Sequence, residues 1–312
     1  MASAAPTFAL AHLSDPHLAG WSVDHIGSLL NKRLTGWLSW SRNRKFIHQT
    51  RVLDMVVADL AARPADHVAV TGDLVNISLP DEFSRAALWL NRLGDADRVT
   101  IVPGNHDAYV AVNWAQGAGQ WARYMTNRGW QPEGAAPTDV QRGFPFVRRV
   151  GPLALVGVST ALPMPPFIAA GRLGATQIEA LARTLTELRS PETFRVVLIH
   201  HPPFAGGAYK RKSLLDAEPF QEVIRTAGAE LVLHGHMHMA SLGQIGTTPV
   251  IGVPSASAVR KGHKDAAAYN VYRVGEAGPN WRVSVEIRGL AADQGRIAAA
   301  GSYVLTIPRP AG

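Results

Sequence analysis

A chain of 312 residues, 46% of them apolar, can bury a large core as one big domain or two modest ones. It has no cysteine, which excludes disulfides and zinc–thiolate sites and leaves any metal to His, Asp, Glu or Asn. Lys and Arg total 31 against 24 Asp and Glu, a net charge of +7 that favours phosphorylated substrates, nucleic acid or anionic lipid without choosing among them.

The opening MASAAPTFALAHLSDPHL lacks a basic n-region and a long apolar core, so it reads as a first strand and not as a signal peptide. No stretch approaches about eighteen uninterrupted apolar residues, so no membrane span is expected. The absence of cysteine accords with a cytoplasmic protein.

After His17 comes a segment of different character, at about 18–46. LAGWSVDHIGSLLNKRLTGWLSWSRNRKF sets Trp21, Trp37 and Trp40 beside Lys32, Arg33, Arg42, Arg44 and Lys45. It reads either as an insertion packed on the domain, or as a lid or basic-aromatic rim touching a membrane surface or an extended phosphorylated substrate.

FIHQTRVLDMVVADLAARP has helical period and stops at Pro64, and HVAVTGD follows as a short apolar run. LPDEFSRAALWLNRL places Phe83, Ala87, Leu90 and Leu93 on one helical face, with Asp81 and Glu82 in its first turn. VTIVPGNHD, ATQIEALARTLTELR, FRVVLIHHPP, AEPFQEVIRTAGA and LVLHGHMH continue the alternation, which predicts an α/β domain. TPVIGVPSAS, YNVYRVGEAG and WRVSVEIRGL then read as consecutive strands, predicting a second, more antiparallel sheet. One domain is expected over 1–290, with 291–312 a tail or short final strand.

Polar residues of the same few types recur where the buried runs end. LSDPHL brings Asp15 and His17, VTGDLVN brings Asp73 and Asn76, and PGNHD brings Asn105, His106 and Asp107. LIHHPP brings His200 and His201, and HGHMH brings His234, His236 and His238. In open α/β sheets the carboxyl ends of the strands form the rim where ligands bind. Oxygen and imidazole donors in this number suit two divalent ions better than one. Gly72, Gly104 and Gly235 stand beside these residues, where a strand must turn sharply to aim a side chain.

DPH, GDLVN, GNHD, HHPP and GHMH, in this order, resemble the signature of the calcineurin-like metallophosphoesterases over residues 7 to 288. The resemblance implies an αββα four-layer sandwich of two mixed sheets flanked by helices. It implies that Asp15, His17 and His238 hold one ion, that Asn105, His200 and His236 hold the other, and that Asp73 bridges them. His106 would lie near the leaving group or a phosphate oxygen, oriented by Asp107, and His201 could touch substrate or equally support the site by packing. His234 is expected to pack or support, and Asn76 to shape its turn. The implied cofactors are two divalent ions, Mn first and Fe or Zn next. The implied chemistry is hydrolysis of a phosphodiester or pyrophosphate, by in-line attack of a hydroxide held between the ions.

The insertion and GDLVNISLPDEF are similar to UDP-2,3-diacylglucosamine pyrophosphatases, which points to that lipid-linked substrate and to peripheral contact with the inner membrane face. A cyclic-nucleotide or glycerophosphodiester phosphodiesterase is the runner-up. A non-catalytic scaffold of the same fold is the alternative of another class. Nucleic-acid binding is not expected, because the arginines are scattered along the chain.

Overall fold

The computed structural model describes residues 7–19, 26–29, 31–63, 65–126, 143–204, 211–262 and 264–310, so Trp21 falls outside the described residues. FALAHL forms β1 (Phe8–Leu13), buried from Ala9 to Leu13, as expected of a strand covered on both faces. It pairs in parallel with β2 (His67–Val70), which pairs in parallel with β3 (Val99–Ile101). On its other side it pairs antiparallel with β10 (Ala268–Ala277), followed by β11 (Asn280–Leu290) and β12 (Ile297–Pro308). The first sheet therefore runs β12-β11-β10-β1-β2-β3.

The second sheet consists of β4 (Phe146–Val150), β5 (Leu153–Gly157), β6 (Phe194–Leu198), β7 (Leu231–His234), β8 (Ser241–Ile245) and β9 (Thr248–Gly252). Its order is β4-β5-β6-β7-β9-β8, parallel at the centre and antiparallel at both edges. This corrects one expectation. Of the three late strands only TPVIG belongs to the second sheet, whereas β10 and β11 extend the first. Alternation along a strand tells which residues share a face, but not which edge the strand will pair with.

Alternation also decides the layers. Phe194, Val196 and Leu198 of β6 and Leu231 and Leu233 of β7 join a core shared with the first sheet. Val197 and Val232, one residue out of phase, join Leu181 and Leu185 of α4 (Ala175–Glu187) and Phe220 and Ile224 of α5 (Ala217–Thr226). Val52, Val56 and Leu60 of α2 (Thr50–Ala62) and Phe83, Trp89 and Leu90 of α3 (Pro80–Leu93) pack on the first sheet. The result is the expected αββα sandwich. No helix among the described residues is long and apolar enough to cross a membrane.

A polar clamp ties α2 to the far side of the first sheet. Asp59 accepts from Arg288 Nε and Nη2 and from the Tyr269 hydroxyl, each at 2.7 Å. Burial raises the carboxyl's pKa, but the hydrogen bonds from Arg288 and Tyr269 outweigh it, so the net shift is downward. A carboxyl depressed in the folded state contributes stability above its unfolded value, about pH 4, and loses it as the pH falls through the folded value. Asp59→Asn is expected to flatten this acid limb in denaturant titrations between about pH 2 and 6. An unchanged slope there would remove Asp59 from the acid response.

Candidate metal centre

The backbone beyond β1, β2 and β3 stays ordered through loop hydrogen bonds, which is what brings their polar ends together. Asp15 N–H donates to Gly72 O and His17 N–H to Asp73 O, each at 3.0 Å, carrying backbone contact between the two chain segments beyond the ends of β1 and β2. Five residues of the cluster take left-handed backbone conformations: Asp15 (φ 53°), His17 (42°), Asp73 (58°), His236 (69°) and His238 (55°). Such conformations cost energy for residues with a Cβ and persist only where the surroundings enforce them, typically at functional sites.

Glycine is required between His234 and His236. A Cβ on Gly235 would coincide with Ser14 Oγ and come within 2.5 Å of Asp15 Oδ2. Gly235→Ala is therefore expected to displace Asp15 and reduce bound metal to less than half of wild type, read by elemental analysis of the purified protein. Wild-type metal content in that variant would mean that the loop has room to shift.

The donors then meet. His238 Nε2 lies 3.2 Å from Asp15 Oδ1 and 3.3 Å from His17 Nε2. His200 Nε2 lies 3.1 Å from Asn105 Oδ1. Asp73 Oδ2 stands 3.8 Å from His17 Nε2 and 3.4 Å from His200 Nε2, so a single oxygen faces both groups. Asp15 and Asp73 are 0% and 1% exposed, and the imidazoles around them are buried as well.

The nitrogens left facing inward fit cations. His17 Nδ1 is within 3.3 Å of Val75 O and His200 Nδ1 within 2.6 Å of Thr71 O. Each Nδ1–H donates to a carbonyl, which directs the Nε2 lone pair at the carboxylates, the second-shell pattern that orients metal-bound histidines. His236 Nε2 is buried with no hydrogen-bond partner among the described residues, an arrangement that a cation would satisfy. Asp15, His17 and Asp73 form one potential ligand group, and His200, His201 and His236 another.

Two expectations require correction. Asp107 does not orient His106. Its buried carboxylate accepts from the N–H groups of Asp73, Leu74, Val75 and Gly104 at 2.8–3.0 Å, locking the loops after β2 and β3 together. The His106 ring instead sets Nδ1 against the Asn76 carbonyl. His201 does not reach for substrate. It is fully buried, with Nδ1 bonded to Thr160 Oγ1 at 2.7 Å and Nε2 to Ala169 O at 3.1 Å, so it braces the neighbouring imidazoles.

His234 sits between the Gly235 carbonyl and Ser241 Oγ and is in none of the potential ligand groups among the described residues. Asn76 shapes its turn, donating to Leu18 O, while buried Glu82 accepts from the N–H groups of Asn76, Ile77 and Leu79.

Sequence reasoning missed Arg44 and His48. The insertion folds as α1 (Arg33–Arg42) and a short 3-10 turn at Arg44–Phe46. Arg33 Nε donates to Ile77 O at 3.1 Å, and Trp37, like Tyr109, packs on the cluster of Leu29, Ile77 and Leu79, so this part of the segment is packed on the domain. The turn carries the Arg44 guanidinium to within 3.1 Å of both His106 Nε2 and His17 Nε2. Burial and the Arg44 charge push the His106 pKa down to about 3. No motif flags a single arginine in a basic run. Its position depends on how α1 docks.

A cleft of about 390 Å³ opens on these groups, lined by Asp73, Asn105, His106, His236 and His238, with Lys32, Arg44, Lys212 and Lys264 on its walls. A floor of one carboxylate, one carboxamide and several imidazoles under four cationic side chains is suited to holding a phosphoryl group against bound metal.

The family model of the calcineurin-like phosphoesterases matches residues 8–240. Over 205 residues the chain is 28% identical to a "Probable cyclic nucleotide phosphodiesterase" of Synechococcus sp., covering 65% of this chain and 69% of that protein. A dimetal phosphatase from Danio rerio superposes with a TM-score of 0.60 at 13% identity, over 97% of this chain and 99% of that one. Purple acid phosphatase PPD1 from yellow lupin (Lupinus luteus) seeds gives the same TM-score and identity, over 97% of this chain and 54% of that one. Those two likenesses are of fold. With the family model running from β1 past β7, and with the aspartates and histidines gathered at the strand ends inside it, the chain belongs to the calcineurin-like phosphoesterases and is a metal-dependent phosphoester hydrolase.

Proposed function

We propose that the protein hydrolyses a small phosphodiester, of about the size of a cyclic nucleotide, at a two-ion centre. The observation that carries this reading is the 390 Å³ cleft, closed by metal-ligand types at its floor and by four cationic side chains around it. A cavity of that volume suits a compact ligand, and clustered Lys and Arg suit a phosphate. The relative named as a probable cyclic nucleotide phosphodiesterase supports the same substrate class.

In this reading Asp15, His17 and His238 hold one ion, Asn105, His200 and His236 hold the other, and Asp73 is shared. Mn, Fe and Zn all suit the mixed oxygen and nitrogen donors, with Mn the first choice. When bound, the ions would polarise the phosphoryl oxygens and supply a nucleophilic water at neutral pH.

The protein's own groups do the rest. Arg44 is cationic at any working pH, so it meets negative charge growing on the phosphoryl oxygens. His106 is neutral beside it, donates Nδ1–H to the Asn76 carbonyl, and turns Nε2 toward Arg44 as an acceptor. Here Arg44 carries the charge, and His106 holds and orients it.

A second reading keeps UDP-2,3-diacylglucosamine. Leu34, Phe46 and Phe167 are 45%, 61% and 78% exposed, and Phe167 lines the cleft, so acyl chains could rest on this apolar rim at a membrane surface. The test is one assay series on Mn-loaded protein with cyclic AMP, UDP-2,3-diacylglucosamine and a chromogenic diester. Preferred opening of cyclic AMP is the expected result. UMP release at tenfold higher kcat/KM would replace it with the lipid-linked substrate and place the protein peripherally at the inner membrane face. Turnover of the chromogenic diester alone would sink both substrate assignments and leave the metal chemistry standing.

A further inference from the structure

We infer that His48 is an additional protein ligand of the ion held by Asp15, His17 and His238, so that the insertion supplies part of the first metal shell. The assignment rests on the two-ion reading above and adds to it a residue that none of the five motifs contains.

His48 lies between the turn that presents Arg44 and the start of α2, and it is 3% exposed. Its backbone is fixed from both sides: Gln49 N–H donates to Ser257 O at 2.8 Å and Val259 N–H to Ile47 O at 2.9 Å. The ring is fixed too. Nδ1 lies 2.9 Å from Ser257 Oγ and 3.3 Å from Ser255 Oγ. The Ser255 hydroxyl itself donates to Asp15 O at 2.6 Å, so its oxygen is left to accept from His48. Nδ1 is then the protonated nitrogen and Nε2 carries the lone pair.

That lone pair belongs with the ligands. The His48 ring centroid is 4.5 Å from that of His17 and 5.2 Å from that of His238. One nitrogen from each of the three rings lies within 4.8 Å of the others. Ligand atoms about 2.1 Å from a common ion are about 3–4 Å apart, so a small adjustment brings all three nitrogens onto one cation. A histidine merely filling space gains nothing from two hydroxyls that select its tautomer, whereas a ligating one does.

With His48 the first ion has three imidazoles and the carboxylates of Asp15 and Asp73. The second has two imidazoles, Asn105 and Asp73. The richer nitrogen set favours borderline transition metals over Mg or Ca, so one equivalent of such an ion should bind more tightly than the next.

The experiment is titration of metal-free protein with Co²⁺, followed by calorimetry and visible absorption. In wild type two equivalents are expected, the first tighter. In His48→Ala the first equivalent should weaken by about ten- to a hundredfold with an altered absorption spectrum, the second should be unchanged, and added imidazole should restore the first. His48→Gln guards against a folding defect, because it nearly preserves shape while replacing the nitrogen donor. His48→Gln should match wild type in metal-free melting temperature, and either variant should gain less than wild type from added Co²⁺. Variants with wild-type affinity and spectrum for the first equivalent would overturn the role of His48 while leaving the two-ion centre intact. A wild type that binds no Co²⁺ would overturn the two-ion reading and His48 with it.

Discussion

Asp73→Ala is expected to lower turnover of a diester by about a thousandfold or more, and to leave the purified protein with at most one bound ion. The reason is position. Asp73 Oδ2 is the oxygen that faces the imidazoles of both groups, at 3.8 Å from His17 Nε2 and 3.4 Å from His200 Nε2. In the proposed two-ion centre, removing it takes one donor from each ion at once and leaves two buried sets of nitrogens with less negative charge to hold a cation. His106→Ala is the contrast. Its ring lies near Arg44 and Asn76, so this variant should keep its metals while turnover falls by about a hundredfold. Elemental analysis beside kcat separates the two. An active Asp73→Ala enzyme would end the two-ion account.

The second large effect is on stability and lies far from the chemistry. Arg195 and Glu230 are each 3% exposed and bond through Nη2 to Oε1 at 2.7 Å and Nε to Oε2 at 3.0 Å. The Arg195 N–H also donates to Oε2, and Nη1 donates to the carbonyls of Leu185 and Ala227. One guanidinium thus joins β6, α4 and the turn between α5 and β7. Glu230→Ala strands a buried cation, which costs about 3–5 kcal/mol. In a domain of this size that lowers the melting temperature by about 6–15 °C. Replacing both partners, as in Arg195→Met with Glu230→Leu, should recover most of the loss, because no charge is then left buried alone. A single variant melting within about 2 °C of wild type would mean that water reaches the arginine.

Much of this was legible beforehand. The apolar runs ending in Asp, Asn and His named the strands that carry the centre, because a buried parallel strand needs a continuous apolar sequence and its end is where the chain can turn polar side chains into a cleft. The helix of LPDEFSRAALWLNRL was readable from its period, and its Glu82 proved to fasten the loop beside the site. Residues that act through contacts with distant segments were not readable. The resemblance implied that Asp107 orients His106, yet its carboxylate is consumed by four backbone donors, which only the docking of two loops reveals. His201, next to His200, looked equally available, yet successive residues point to opposite sides, and its nitrogens end on Thr160 and Ala169.

The late strands divide for the same reason. YNVYRVGEAG and WRVSVEIRGL announced two strands through their alternation, but nothing local said that the first would pair with β1, and the second with the first, to enlarge the first sheet. Thus the sequence by itself determined the α/β class, the strand ends that bear the ligand types, and the family. Those follow from patterns set within ten or so neighbouring residues. The tertiary structure alone decided which edge each strand took, that Arg44 and His48 come to lie against His17, and that Asp107 is a brace. Those depend on packing between segments distant in the chain, where a side chain's role is set by what meets it and not by what precedes it.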